Sequence, residues 1–270
     1  EATLRGLAQS LGVKVEKEKL TDPHTKAQLL LNAHFNRTPI TTDLSSDQRF
    51  ILEHAVRLLQ GLVDVISSCG WLTPALFSME LSQMIVQATS SQASPLLQLP
   101  HFPPALVEKA KKMRVEDVFD VMNMEDDART KLFDGLSQSQ LMDVARACNR
   151  FPCVSLEYKV QNADALAAGG SARIAVKLGR DAMEDDTTLG PVYAPYFPKE
   201  KEESWWLVVG GPGNGLVAIK RITIAKASVN VKLDVELGDD PGTYDYTLYL
   251  MSDSYQGCDQ EYGFKLQVKG

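Results

Sequence analysis

At Pro152 the hydrophobic period of the chain changes. Beyond it Val154, Leu156, Tyr158 and Val160 alternate with Ser155, Glu157 and Lys159. A period of two places the two sets on opposite faces of a strand. Before it the apolar residues Phe50, Ile51, Ala55, Leu58, Leu59, Leu62, Val63 and Ile66 recur at helical spacing as a wide stripe. The chain therefore reads as α+β, a helical part followed by a β part, with the boundary near 152.

The stretch "SSDQRFILEHAVRLLQGLVDVISSCGW" opens with Ser45 or Ser46 as the N-cap and stops at Gly70. A helix at about 23–35 precedes it. "TPALFSMELSQMIVQATS" follows, with Pro74 tolerated in a first turn. Three helices in sequence with short connections make a bundle. Four prolines between Pro95 and Pro104 mark a rigid crossing. Shorter helices are expected at about 105–113, 115–123, 125–133 and 137–149, the last opened by a Ser137-x-x-Gln140 capping box.

Alternating runs recur at 172–178, 204–209, 215–225, 228–236, 243–251 and 261–268. Short strands separated by turn signals suggest a β-sandwich of immunoglobulin type. "GGPGNG" at 210–215 is a turn between two of them. One strand carries two adjacent tryptophans. Trp205 shares a face with Leu207 and Val209, and Trp206 shares the other with Val208. Trp205 is expected in the sandwich core and Trp206 against the helical half. A one-residue change of register would exchange them.

The net charge of −7 excludes a whole-chain basic footprint for nucleic acid. No apolar run of about 18 residues exists to span a membrane. The start, "EATLRGLAQSLGVKVEKEKL", is not a signal peptide and lacks an initiator Met, so a piece of a longer chain is expected. Cys69, Cys148, Cys153 and Cys258 are widely spread and read as reduced structural thiols of an intracellular protein. Asn36-Arg37-Thr38 fits a glycosylation sequon. No phosphate-cradling loop or nucleophile elbow is present, and His24, His34, His54 and His101 are not paired at ligand spacing. No catalytic residue, metal or cofactor is expected. The acidic runs "MEDD" at 124–127 and "MEDDTT" at 183–188 read as helix N-terminal charge and as a solvated loop. Lys109, Lys112 and Arg114 in "EKAKKMR" read as a solvated face or as phosphate contacts. Helices followed by strands, with no reaction centre, describe a binding or positioning module.

Eight strings carry a resemblance: "LLLNAHFNR", "AVRLLQGLVDVISSCGWL", "LPHF", "VFDVMNME", "VARACNRFP", "GPVYAPYFPKEKEESWWLVVG", "IKRITI" and "YTLYLMSDSYQGCDQEY". With their order they make the chain similar to the Sec63 homology unit, most of all to the C-terminal of two copies found in spliceosomal RNA helicases. The resemblance implies a helical bundle (1–104), a helix-loop-helix part (105–152) and an immunoglobulin-like, fibronectin-type sandwich (153–270). It implies a nuclear, non-catalytic protein-interaction and regulatory module in pre-mRNA splicing. Its partners would be the helicase domains of the parent chain and other spliceosomal proteins, with RNA contact weak at most and no membrane. The long helix would match the family's ratchet helix. There Arg57 falls on the family's arginine, and His54 stands where the strand-handling copy has a small hydroxyl residue. Trp206 and Val208 would form an interdomain or partner interface. Two alternatives stay open: a nucleic-acid channel element of an active cassette, and the matching unit of an endoplasmic-reticulum translocation component.

Overall fold

A computed structural model describes residues 2–180, 190–224 and 228–270. They divide into a helical unit (Glu1–Leu59, Leu81–Cys148 and Tyr193–Glu200) and a sheet unit (Gln60–Glu80, Asn149–Val192 and Lys201–Gly270). Two helices run through the division, α3 (Thr42–Ser68) and α4 (Leu72–Gln87).

In the helical unit α1 (Ala2–Ser10), which the sequence reading had not singled out, and α2 (Pro23–Phe35) share a core of Leu4, Leu7, Leu29, Leu30 and Leu44. The Asp22 carboxylate caps α2 by accepting from the backbone N–H groups of His24 and Thr25, and Pro23 takes the first helical position. α3 begins a turn earlier than the expected Ser45 or Ser46 cap. Thr41 O accepts from the Ser45 N–H at 3.1 Å, while the Ser45 hydroxyl donates back to Thr42 O at 2.7 Å. Ser45 thus lies inside the first turn. Asp43 adds a negative charge there, where the helix dipole favours it.

After a 3-10 turn at Pro95–Gln98 come α5 (Pro104–Lys112), α6 (Val118–Met122), α7 (Asp126–Leu132) and α8 (Gln138–Arg150). The Ser137–Gln140 box closes in both directions: Gln140 Oε1 accepts from Ser137 N at 2.9 Å, and Ser137 Oγ accepts from Gln140 N at 3.3 Å. Asp117 and Asp120 form a second box at α6.

The sheet unit has seven antiparallel strands among the described residues. β1 (Val154–Gln161), β2 (Ser171–Arg180) and β5 (Ser228–Glu236) make one sheet in the order β1-β2-β5. β3 (Trp205–Gly211), β4 (Gly215–Ile222), β6 (Gly242–Ser252) and β7 (Gln260–Val268) make the other in the order β4-β3-β6-β7. In β2 the alternation is strict: Ala172, Ile174, Val176 and Leu178 are buried, with Arg173 and Lys177 exposed between them.

β3 is different, being buried from Trp205 to Gly210 without alternation. Trp206 and Val208 pack with Val63, Ile66, Leu72, Ala75 and Met79 of the 60–80 helical hairpin. Trp205 and Leu207, fully buried, turn to the opposite face, and the Trp205 indole N–H donates to Glu203 Oε1 at 2.8 Å. The surface that covers Trp206 is therefore helical, and it comes from a hairpin grouped with the sheets. Gly70, at φ 71°, makes the turn of that hairpin. The Trp71 N–H reaches back to Ile66 O and the Gly70 N–H to Ser67 O, a Schellman closure. Gly70 O then accepts from Leu216 N at 2.8 Å, which ties the hairpin to β4. Gly210 permits the close approach, since a Cβ there would lie 2.6 Å from Leu72 Cδ2.

Candidate interaction surfaces

α3 is apolar on two faces. Its buried stripe is Leu52, Val56, Leu59, Val63 and Ile66. Phe50 and Leu58, which belong to the expected apolar stripe, lie outside it at 64% and 73% exposure. The reason is visible in the spacing. A stripe read as Ala55, Leu58, Leu59 and Leu62 is rotated from the one that Leu52 and Val56 define, and a helix rich in Leu satisfies both frames.

In the helical unit the exposed frame carries Phe50, His54, Arg57 and Leu58. The His54 ring stacks on Phe50 at 4.1 Å, and its Nδ1–H donates to Phe50 O at 2.8 Å. His54 is thus engaged by its own helix. Arg57 is exposed and forms no ion pair among the described residues. The inner edge is fixed by Glu53, which takes Arg49 at 2.9 Å and Lys199 at 2.6 Å. These two cations hold its carboxyl below the usual range by hydrogen bonding, Lys199 foremost.

The basic cluster sits in the last turn of α5. Lys109 is half-buried, Lys111 pairs with Glu108 at 3.3 Å, and Lys112 is exposed. Arg114 follows the Met113 cap at φ 62°. Cations there complement the negative end of the helix dipole. A phosphate would meet that same negative end, so the placement supports the solvated-face reading.

Trp206 and Val208 are buried within the sheet unit and are not exposed to a partner. The 183–188 acidic run lies outside the described residues. Among the described residues no group of His, Cys, Asp and Glu could hold a metal ion, and no helix is long and apolar enough to cross a membrane.

Two charged centres escaped the sequence reading. Arg37 appeared there only as the middle of a sequon. Its guanidinium donates to Ala88 O at 3.1 Å, Gln87 O at 3.2 Å and Leu97 O at 2.8 Å, and lies 4.3 Å over the Tyr196 ring. Asp253, fully buried, takes Lys201 at 2.5 Å, Arg221 at 3.3 Å, the Ser204 N–H at 3.1 Å and the Ser254 hydroxyl at 2.5 Å. Beside it Arg180 pairs with Glu203. The lone charges in "NRT" and "SDS" carry no periodic signal that could have revealed either centre.

Comparison with known proteins gives these surfaces a context. The chain is 47% identical over 274 residues, 99% of its length, to the U5 small nuclear ribonucleoprotein 200 kDa helicase of Drosophila melanogaster. It is 47% identical over 98% of its length to the human protein of the same name. It is 47% identical over its full length to the DExH-box ATP-dependent RNA helicase DExH12 of Arabidopsis thaliana. The chain spans about 12% of the length of each of these relatives. The family model of the Sec63 Brl domain matches residues 1–265. With nearly every residue inside that match, the chain belongs to the Sec63 Brl domain family.

Proposed function

We propose that this chain is the C-terminal Sec63 unit of a nuclear, spliceosomal RNA helicase and serves there as a protein-interaction and regulatory module in pre-mRNA splicing. The observation that carries the reading is identity of nearly half the residues with helicases of this kind, sustained over almost the whole chain. The exposed α3 surface supports it, because Phe50 and Leu58 present apolar area beside an unpaired Arg57. Arginine beside apolar side chains is the composition of a protein contact. His54, stacked on Phe50, blunts that surface for handling a strand.

The architecture belongs to the same proposal. The strand orders β1-β2-β5 and β4-β3-β6-β7 support a fibronectin-type, immunoglobulin-like sandwich. It follows a helical bundle over 1–104 and a helix-loop-helix part over 105–152. Partners are the helicase domains of the parent chain and other spliceosomal proteins. RNA contact is weak, in keeping with a net charge of −7.

Immobilised chain exposed to nuclear extract tests this. Recovery of U5 ribonucleoprotein components is expected, together with RNA affinity that vanishes near physiological salt. Recovery of protein-translocation components instead, or RNA binding that persists at that salt, would overturn it.

A further inference from the structure

The outward face of the β1-β2-β5 sheet carries a basic groove that no part of the helicase reading uses. We infer that this groove binds an acidic peptide segment of a partner protein.

Strand register builds it. Ala175, on the central strand, pairs with Lys159 on one side and Lys232 on the other. One step along, Lys177 pairs with Glu157 and Asn230. Strands lie about 4.8 Å apart, so Lys159 and Lys232 flank Ala175 with their Cα atoms roughly 10 Å apart. The short Ala175 side chain leaves an open groove of about 390 Å³ between the lysines. The three ammonium groups meet two carboxylates: Glu157, 3.9 Å from Lys177, and Asp234, which feels the Lys232 charge but is already held by Arg173. Lys159 and Lys232 form no ion pair among the described residues. Like charges gathered on one sheet face oppose one another, and an external anion relieves that repulsion. On a chain of net charge −7 such a gathering is a local exception.

The surroundings select the class of anion. The next row along β2 is Arg173, whose guanidinium is already bound to Asp234 at 2.6 and 3.3 Å. Asp234 at one end and Glu157 at the other therefore bound the groove with negative charge. A nucleic-acid backbone, with phosphates running on in both directions, would meet those carboxylates. One or two carboxylates on an extended peptide fit between them. The face also offers no ring for a base to stack on. The one aromatic residue lining the groove, Tyr158, turns its ring to Tyr262 and Phe264, at 6.0 and 5.6 Å.

The test is fluorescence anisotropy of the 270-residue chain with a labelled ten-residue Asp/Glu peptide and, separately, a labelled single-stranded RNA. The peptide is expected to bind at low salt. Lys159→Glu with Lys232→Glu should weaken it at least tenfold. Ala175→Leu, which fills the groove without changing charge, should weaken it several-fold, while Lys112→Glu in α5 should not. These positions are exposed, so the melting temperature should hold in every variant but Ala175→Leu, which is scored at a temperature where it is folded. Peptide affinity unchanged in the double variant overturns the proposal. RNA binding that exceeds peptide binding and falls with the same variant overturns it in favour of a nucleic-acid face. Neither outcome depends on the spliceosomal assignment, which the extract experiment judges by itself.

Discussion

In each compact unit a charged side chain sits where several segments meet, Arg37 in one and Asp253 in the other, and the two are satisfied in opposite ways. Arg37, in the helical unit, is surrounded by neutral acceptors: three backbone carbonyls and the face of Tyr196. Asp253, in the sheet unit, is surrounded by cations and donors. The difference follows from the groups. A guanidinium is weakly hydrated and has a fork of five donors, so carbonyls can hold it half-buried. A carboxylate has no donors and is buried at tolerable cost only when donors and opposite charge meet its oxygens.

The two centres should therefore fail differently, and Asp253→Ala should be the larger failure. It leaves Lys201, whose side chain is 12% exposed, without its counter-charge. Removing one partner of a buried pair costs about 3–5 kcal/mol. Denaturant titration of the whole chain measures it. Adding Lys201→Met to Asp253→Ala should restore part of the loss, because the stranded charge is then gone. A loss below about 1 kcal/mol for the single variant would make the cluster an ordinary surface pair.

Arg37→Ala should cost less, about 2–3 kcal/mol. The carbonyls it leaves are neutral, and Arg37 is only half-buried, so water reaches them. Arg37→Lys should recover under half of that, since one ammonium cannot span Ala88, Gln87 and Leu97 together. Equal losses in the two alanine variants would erase the contrast between the units.

The sequence made these units legible to different depths. The runs read as alternating became strands among the described residues, most plainly β2, because half-buried antiparallel strands record their two faces in alternation. Caps with a reciprocal partner, such as Ser137 with Gln140, were equally plain. β3 was legible only in part. Trp205 and Trp206 announced two apolar faces, but only the fold could assign Trp206 to the hairpin that Gly70 turns. In α3 the expected stripe was too wide: Leu59, Val63 and Ile66 are buried as expected, but Phe50, Leu58 and Leu62 belong to a second apolar frame that faces outward. Arg37 and Asp253 were not legible, since each gathers partners from distant segments and no local pattern anticipates that.

Acid should separate the units further. His34, buried beside Arg37, donates from Nε2 to Ile85 O at 2.6 Å. Burial pushes its imidazole below the ordinary value, with the Arg37 charge adding to that push and the Ile85 hydrogen bond opposing it. The unfolded chain takes up a proton near pH 6.5 that the folded imidazole refuses. Stability from this group is therefore full above that pH and falls as pH drops below it, at up to about 1.4 kcal/mol per pH unit. His34→Gln, whose amide can still donate to Ile85 O, should flatten this part of the profile between pH 7 and 5. A profile unchanged by the substitution would show that His34 is not the titrating group.

The smallest effect sharpens the comparison most, because it sets one arginine against another in the same unit. Arg37 is half-buried with three carbonyl partners; Arg57 is exposed on α3 with no ion pair among the described residues. Arg57→Ala should change the stability of this chain by less than about 0.5 kcal/mol, the usual range for a surface position. Alanine also suits a helix interior, which offsets the loss of packing along the arginine stem. If Arg57 serves a contact rather than the fold, its loss must appear elsewhere. The same substitution in a full-length helicase should change activity or the recovery of partners, with melting of the isolated unit unmoved. A melting shift as large as that of Arg37→Ala would make Arg57 a structural residue and remove the main cation from the proposed α3 surface. An unchanged helicase with an unchanged melt would leave Phe50 and Leu58 exposed without a function, and the interaction reading of α3 would fall.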